Sequence, residues 1–300
     1  MQHSEPLYRG RFAPSPTGPL HIGSLIAATA SYLDAKSRHG QWLIRIEDID
    51  PPREVAGAAD NILRVLEQFG FEWDEDVVYQ SRRGALYEEA ISELTKKHLV
   101  YFCQCSRKDI AASATHGLNG PIYPGTCRDA IPTHQQGALR FETKDQSITF
   151  DDAICGKITQ NVARDSGDFV IKRNDGLYAY QLAVVVDDAE QQITHVVRGR
   201  DILDLTPGQI LLQQALKLDT VHYAHFPVIT NALGQKLSKQ TGAPPVGAKN
   251  PVSTLLDCLR FLGQAAPVEL GDATLDEFWI WAISNWNLAN TVTTCRDQPQ

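Results

Sequence analysis

The chain has 300 residues, of which 43% are hydrophobic and 21% charged, and its 28 Lys and Arg against 36 Asp and Glu give a net charge of −8. This composition excludes a disordered, collagenous or low-complexity protein, and the negative total means that any RNA must be met by a local basic patch. The sequence contains no run of about 18 apolar residues and no signal-peptide core, so we predict a cytoplasmic protein without a membrane span.

The first third of the chain alternates between predicted strands and helices. A short apolar strand over 8–13 is followed by a loop rich in Pro, Ser, Thr and Gly and by a helix over 24–36. A strand over 42–46 and helices over 56–69 and 87–98 come next. Because strands that alternate with helices favour a parallel sheet, the sequence predicts an α/β fold.

An irregular segment interrupts this alternation. Residues 103–137 are rich in Gly, Pro, Ser, Thr and His, which predicts an insertion with little regular structure. An apolar run over 182–186 then ends in two aspartates. After the insertion the sheet pattern resumes with four predicted strands and one helix, over 139–142, 169–172, 194–197, 226–229 and 207–218.

The last part of the chain is predicted to be helical. A loop over 230–247 precedes two apolar helical stretches, over 251–262 and 275–288. Three tryptophans lie in this part, and aromatic residues on apolar helices indicate packing more often than a surface for stacking RNA bases.

The strongest motif is RFAPSPTGPLHIGS, residues 11–24. A helix N-terminus offers unpaired amide donors and the positive end of the helix dipole, and both favour bound phosphate. Gly18 and Gly23 allow the backbone to approach a ligand closely, and His21 can donate to phosphate oxygens. The alternative is a proline-rich turn followed by an ordinary helix cap.

A second motif, Lys236-Leu237-Ser238-Lys239, lies far downstream in the loop over 230–247. Two lysines on a Gly-flanked loop can fold over a polyphosphate and neutralise its charge. Taken alone, such a short motif is also typical of an exposed surface loop.

Three cysteines lie close together in the irregular segment. Cys103 and Cys105 are separated by one residue, and Cys127 follows in the same segment. Three thiolates and one further donor suit tetrahedral zinc, which would replace the core that this segment cannot build. Unrelated thiols are the alternative, because Cys-x-Cys is less specific than paired Cys-x-x-Cys. Imidazole is a common zinc donor, so His116 is a candidate for the fourth ligand.

In this order, the first two motifs resemble the HIGH and KMSKS signatures of the class I aminoacyl-tRNA synthetases. Four blocks resemble the catalytic core of the glutamate branch of that family: RFAPSPTGPLHIG from Arg11, RIEDID from Arg45, YQLAVVVDD from Tyr180 and VRGRD from Val197. The signatures depart from the general pattern at three positions. Ser24 replaces the last His of HIGH, and Leu237 and Gln240 replace the Met and the last Ser of KMSKS. The resemblance covers nearly the whole chain.

The resemblance implies a glutamate site. A glutamate ligand brings two carboxylates, which arginines can bind bidentately, and an ammonium, which a carboxylate must face. Members of the family bind the carboxylates with residues that correspond to Arg11 and Arg198. The resemblance likewise implies that Glu47 binds the amino group of the glutamate ligand. The remaining residues of the implied site are Tyr180, as a hydroxyl partner, and Ala13 and Ser15, which line it.

The same resemblance implies sites for ATP and zinc. ATP, accompanied by Mg²⁺, is expected against His21, Gly23, Ser24, Lys236 and Lys239, with His21 and Lys239 as the catalytic residues. One structural zinc ion is expected on Cys103, Cys105, Tyr123 and Cys127. The fourth zinc ligand is therefore Tyr123 by resemblance or His116 by donor chemistry.

The length of the chain points to one group within this branch. Full-length glutamyl- and glutaminyl-tRNA synthetases continue into an anticodon-binding domain, whereas this sequence stops after a short helical tail. It resembles the truncated paralogues, which activate L-glutamate with ATP and transfer it to queuosine at the wobble position of tRNA(Asp). The alternatives are a truncated enzyme that charges tRNA(Glu) and a non-catalytic paralogue that only binds RNA or a nucleotide.

The expected architecture follows that of the family. It is a Rossmann-like, parallel-sheet class I synthetase domain with a zinc-binding insertion and a short helical tail. We divide the chain into a first catalytic half over 1–102, the insertion over 103–169, a second catalytic half with the KLSKQ loop over 170–247, and a helical tail domain over 248–300. We expect a monomer.

Overall fold

The computed structural model describes residues 7–118, 120–129, 136–229, 245–247 and 249–291. In these ranges the strands are β1 (Arg9–Phe12), β2 (Gln41–Ile46), β3 (Val78–Tyr79), β4 (Val100–Cys103), β5 (His116–Gly117), β6 (Gly120–Pro121), β7 (Ala138–Phe141), β8 (Ser147–Asp152), β9 (Gly156–Asn161), β10 (Phe169–Lys172), β11 (His195–Gly199) and β12 (His222–Phe226). The helices are α1 (Ile22–Lys36), α2 (Ala58–Gln68), α3 (Gly84–Lys96), α4 (Arg107–Ser113), α5 (Val162–Asp165), α6 (Tyr180–Glu190), α7 (Thr206–Leu216), α8 (Pro251–Phe261) and α9 (Leu275–Asn285).

Parallel strands form the centre of the molecule. β1 pairs with β2 and β2 with β3, and on the other side β11 pairs with β12, all in parallel. The two groups meet where β1 packs beside β11 and the Thr194 amide donates to the Arg9 carbonyl at 2.9 Å. The predicted α/β fold with a Rossmann-like parallel sheet is confirmed.

Two hydrophobic cores cover the two faces of this sheet. Trp42 and Ile44 of β2 pack into the core that contains α1, α2, α8 and α9, whereas Leu43 packs into the core that contains α3, α6 and α7. Successive side chains of a strand point to opposite faces, so the two cores lie on opposite sides of the sheet. In the described part of the chain, no helix combines the length and the apolar character that crossing a membrane requires.

The tail helices complete the first core. Helices α8 and α9 both pack against α1, and Leu255, Leu259 and Phe278 are buried there. The Trp279 side chain is 6% exposed, and its Nε1 donates to the Phe69 carbonyl at 3.0 Å. This tryptophan therefore contributes packing, as the sequence predicts.

The structure adds one element that the sequence analysis left unassigned and differs from the predictions in two others. The apolar run over 182–186 belongs to α6, which is buried on several sides and so lacks amphipathic spacing. The predicted strand over 226–229 lies earlier in the chain, as β12, which ends at Phe226; the next residue is Pro227, which has no N–H to donate to a neighbouring strand. The insertion contains more regular structure than expected: α4 begins with a capping box between Ser106 and Asp109, and β8 and β9 form an antiparallel hairpin.

Candidate active site

A cavity of about 720 Å³ opens at the carboxyl ends of the parallel strands. Phe12 of β1, Gly199 of β11 and Phe226 of β12 line it, and Glu47 enters it directly after β2. In parallel α/β sheets, ligands bind at this edge. Every residue predicted to bind glutamate or ATP that lies in the described ranges lines the cavity: Arg11, Ala13, Ser15, His21, Gly23, Ser24, Glu47, Tyr180 and Arg198.

Arg198 is held by neutral acceptors. Its Nη2 donates to the Thr206 hydroxyl and to Gln209 Oε1, both at 2.8 Å, and its Nε donates to His225 Nε2 at 2.9 Å. Its Nη1 lies 3.4 Å from the Tyr180 hydroxyl. The residue is 5% exposed, and no carboxylate in the described part of the chain forms an ion pair with it. A buried cation without a counter-ion favours an anionic ligand.

Arg11 has a different environment. Its Nε donates to Asp188 Oδ1 at 3.1 Å, and Arg45 Nη2 lies 2.8 Å from the same oxygen. Burial alone would raise the pKa of Asp188, but the two arginines outweigh it and hold that pKa below its usual range. The Arg11 side chain is thus oriented by an ion pair that the protein itself supplies.

Glu47 is a buried carboxylate with an incomplete set of partners. Its side chain is 8% exposed, Oε1 lies 3.7 Å from Arg45 Nη2, and this oxygen accepts no hydrogen bond from any residue that the structure describes. Burial raises the pKa of Glu47 to about 7, against the attraction of Arg45 and Arg11. A carboxylate that lacks a donor inside a cavity suits a ligand ammonium.

The loop after β1 forms one wall of the cavity. The Glu47 amide donates to the Pro14 carbonyl and the Val55 amide to the Pro16 carbonyl, each at 3.0 Å. Gly18 has a φ of 132°, a conformation that residues with side chains rarely adopt. These contacts fix Ala13 and Ser15 beside Glu47.

His21 caps the helix that follows this loop. It precedes α1, and its Nδ1 accepts from the Ser24 amide at 3.3 Å. The start of α1 therefore faces the cavity, as the first motif predicts, and Gly23 lies in the first turn of the helix. The favourable end of the helix dipole is directed at any ligand there.

Lys236 and Lys239 lie outside the described residues. The flanking positions are described on both sides: Val228 and Ile229 line the cavity, and the Val246 amide donates to the Leu20 carbonyl at 2.9 Å. Pro245 also forms a β-bridge with His21. The described residues on either side of these lysines thus lie beside the cavity or beside residues that line it.

The three cysteines of the insertion come together. The Sγ atoms of Cys103, Cys105 and Cys127 lie within 4.8 Å of one another. Burial alone would raise the pKa of Cys127, but hydrogen bonds from Tyr123 and the backbone lower it to about 7. Three thiol sulfurs converging in this way have the donor chemistry of a structural zinc site.

Tyr123 lies beside these sulfurs. Its hydroxyl is 3.7 Å from Cys105 Sγ and accepts from the Cys127 amide at 2.8 Å, and the Arg140 guanidinium stacks over its ring at 4.0 Å. Among the residues that the structure describes, His116 is not part of the group. The geometry favours Tyr123 over His116 as the fourth donor.

Sequence reasoning missed the residues that orient the arginines. Arg45 and Asp188 stand inside the quoted blocks, and an aspartate pair at the end of an apolar run is a signal of a buried ion pair. His225 and Asp152 are 73 residues apart and carry no local signal. Only the fold brings them to Arg198.

Comparison with known proteins gives consistent matches. Residues 8–250 match the family of class I tRNA synthetases (E and Q), catalytic domain. The Glutamyl-Q tRNA(Asp) synthetase of Chromobacterium violaceum is 54% identical over 95% of this chain and 96% of its own length, and that of Dechloromonas aromatica is 52% identical over 93% and 94%. The structure resembles that of glutamate-tRNA synthetase from Elizabethkingia anophelis with a TM-score of 0.78 and 26% identity, covering 96% of this chain and 67% of that chain.

Proposed function

The chain belongs to the glutamyl-Q tRNA(Asp) synthetases of the class I tRNA synthetase family, and on that premise we propose that it glutamylates queuosine in tRNA(Asp). In the first step, L-glutamate and ATP give glutamyl-adenylate and pyrophosphate. In the second, a hydroxyl of queuosine at the wobble position attacks the activated carbonyl and releases AMP.

The observation that carries this proposal is the charge pattern of the cavity. Among the described residues, no carboxylate pairs with the buried cation of Arg198, and no donor reaches one oxygen of the buried Glu47 carboxylate. Glutamate supplies the complementary groups, a carboxylate and an ammonium. We assign its carboxylates to Arg11 and Arg198, its amino group to Glu47 and a hydroxyl contact to Tyr180, with Ala13 and Ser15 as the wall.

ATP takes the part of the cavity next to α1 in this proposal. His21, Gly23 and Ser24 lie at the start of the helix, where backbone donors and the dipole favour phosphate. Attack of the glutamate carboxylate on the α-phosphorus is mainly a matter of alignment and of neutralising charge. Lys236 and Lys239, together with Mg²⁺, are proposed to supply that positive charge.

Zinc has a structural role in the proposal. Cys103, Cys105, Cys127 and Tyr123 would hold one ion, which would tie the start of the insertion to its loop. The cytoplasmic location and the monomeric state stay predictions.

One experiment tests the proposed acceptor. Labelled glutamate is offered with ATP to tRNA(Asp) containing queuosine, to tRNA(Asp) containing guanosine at the same position, and to tRNA(Glu). We expect transfer to the first only. Transfer to tRNA(Glu) would favour the charging enzyme instead, and failure of glutamate-dependent pyrophosphate exchange would favour a paralogue that only binds.

A second experiment tests the phosphate contacts. Lys239→Ala should reduce glutamate-dependent pyrophosphate exchange by about a hundredfold or more while glutamate affinity changes little, because the charge it neutralises develops in the transition state. Unchanged exchange would remove Lys239 from the mechanism.

A further inference from the structure

A buried chain of hydrogen bonds leads from the β8–β9 hairpin to the cavity. Asp152 Oδ2 lies 2.6 Å from His225 Nδ1, and His225 Nε2 accepts from Arg198 Nε at 2.9 Å. The three residues are 3%, 0% and 5% exposed, so water does not compete for these bonds. Of these three residues, Arg198 lines the cavity, whereas Asp152 and His225 lie behind it.

The geometry fixes the proton on His225. A guanidinium N–H can only donate, so His225 Nε2 must present its lone pair to Arg198. The remaining ring proton is then on Nδ1, where it donates to Asp152. Burial and the nearby Arg198 lower the pKa of His225 to about 4, which keeps the ring neutral near neutral pH.

Asp152 is itself held in one orientation. Its Oδ1 accepts from the backbone amides of Ile154, Cys155 and His225 at 3.0, 2.8 and 3.1 Å. Because three donors converge on Oδ1, the other oxygen is left to face the imidazole. The carboxylate therefore selects the tautomer of His225.

The fixed tautomer of His225 determines how the Arg198 guanidinium is held. The three N–H groups on Nε and Nη2 donate to His225, Thr206 and Gln209, all of them uncharged. Nη1, which carries the other two N–H groups, lies in the cavity 3.4 Å from the Tyr180 hydroxyl. A carboxylate in the place of His225 would orient the guanidinium equally well, but it would also neutralise its charge. A neutral acceptor orients the side chain and leaves its charge for the ligand.

We propose that Asp152 and His225 are positioning residues for substrate selection: Asp152 fixes the tautomer of His225, which aligns Arg198 on a substrate carboxylate without cancelling its charge. This inference rests on the proposed glutamate site and extends it to two residues that do not line the cavity.

Asp152→Asn tests the tautomer directly. The three backbone donors require an oxygen at the Oδ1 position, so the amide NH₂ of the variant faces His225 Nδ1 and donates to it. The ring proton must then move to Nε2, where it opposes the N–H of Arg198. ¹⁵N spectra of histidine-labelled full-length protein should show His225 protonated on Nδ1 in the wild type and on Nε2 in the variant.

Two substitutions of His225 separate positioning from general stability. His225→Gln can place its amide oxygen near the position of Nε2 and accept from Arg198, whereas His225→Asn is one bond too short to reach it. We expect Asp152→Asn and His225→Asn to raise the glutamate KM in pyrophosphate exchange, and the glutamate Kd in calorimetry, by about tenfold or more. The KM for ATP should change by less than about threefold, and His225→Gln should recover most of the glutamate affinity.

His195→Gln is the matched control. His195 lies at the opposite end of β11, stacks on Tyr8 at 4.0 Å and does not line the cavity, so its substitution should leave glutamate affinity unchanged. A wild-type spectrum with the proton on Nε2 would overturn the inference. So would equal losses for glutamate and ATP, or equal glutamate affinity in His225→Asn and His225→Gln, a comparison that decides the matter even if Asp152→Asn does not fold. Wild-type protein that binds no glutamate would instead refute the proposed function.

Discussion

Arg11 and Asp188 form a buried ion pair, with Arg11 Nε 3.1 Å from Asp188 Oδ1. The pair joins β1 to α6 across the parallel sheet. The same carboxylate oxygen lies 2.8 Å from Arg45 Nη2, and Arg45 is fully buried. One aspartate therefore provides the closest negative charge for two guanidiniums, one of which lines the proposed glutamate site.

Removing the charge of Asp188 should destabilise the protein strongly. Asp188→Asn keeps the shape of the side chain but leaves two buried cations poorly compensated, and we expect a loss of about 3–5 kcal/mol in the free energy of unfolding. Urea denaturation of the wild type and the variant measures this loss. Asp145→Asn is the control, because Asp145 pairs with Arg164 on the surface and should cost at most about 1 kcal/mol. Equal losses in the two variants would contradict this account.

Glu47 should make glutamate binding depend on pH. Its pKa is about 7 in the unliganded protein because burial disfavours the charged form, and only the charged form can pair with the ligand ammonium. Protonation below that pKa therefore competes with binding. We expect the glutamate Kd to rise about tenfold between pH 8 and pH 6. Calorimetric titrations across this range measure the change.

Glu47→Gln is the control for that pH dependence. The variant keeps the size of the side chain but has no carboxyl group, so glutamate should bind it more weakly and with a nearly constant Kd between pH 6 and pH 8. Burial alone would lower the pKa of Arg45 and raise that of Asp188, but the opposite charges beside each group outweigh it, so both stay charged over this range and do not contribute to the slope. A slope that persists in the variant would assign the titration to another group.

The sequence predicted the parallel sheet because local patterns specify it. Strand, loop and helix alternate clearly over 8–46, and the structure has β1, α1 and β2 there. It did not predict the β8–β9 hairpin, although strand β8 is alternately buried and exposed. Nor did it predict α6 as a helix, since a helix surrounded by protein shows no polar face.

The residues of the candidate site also fall into two groups, those that local sequence patterns predict and those that they do not. The residues that face the cavity, such as Arg11 and Glu47, stand next to glycines, prolines and charged blocks that mark them. The residues that orient them, such as Asp152 and His225, come from distant parts of the chain and are ordinary in their local sequence. Their role depends on a tertiary contact, which local sequence patterns do not encode.

Trp279 should be important for stability. Its ring packs against Tyr32 and Phe71 with centroid distances of 4.8 and 4.9 Å, and its Nε1 donates to the backbone. We expect Trp279→Ala to cost about 3–5 kcal/mol in the free energy of unfolding. Ile280→Ala, on the neighbouring residue of α9 that is 68% exposed, should cost no more than about 0.5 kcal/mol. If Trp279→Ala instead left stability unchanged and weakened tRNA binding, the base-stacking alternative would be correct.

The zinc content of the protein should depend on the cluster of Cys103, Cys105 and Cys127. We expect purified protein to contain about one zinc ion per chain, as a closed structural site requires, and Cys105→Ser to lose it together with part of its thermal stability. Cys155→Ser is the matched control, because the thiol of Cys155 donates to the His225 carbonyl and a hydroxyl can replace it.

Tyr123→Phe should weaken zinc retention against a chelator, whereas His116→Ala should not, since of these two residues Tyr123 is the one that lies beside the sulfurs. Zinc-free protein with wild-type stability and full exchange activity would show that the three thiols hold no structural ion.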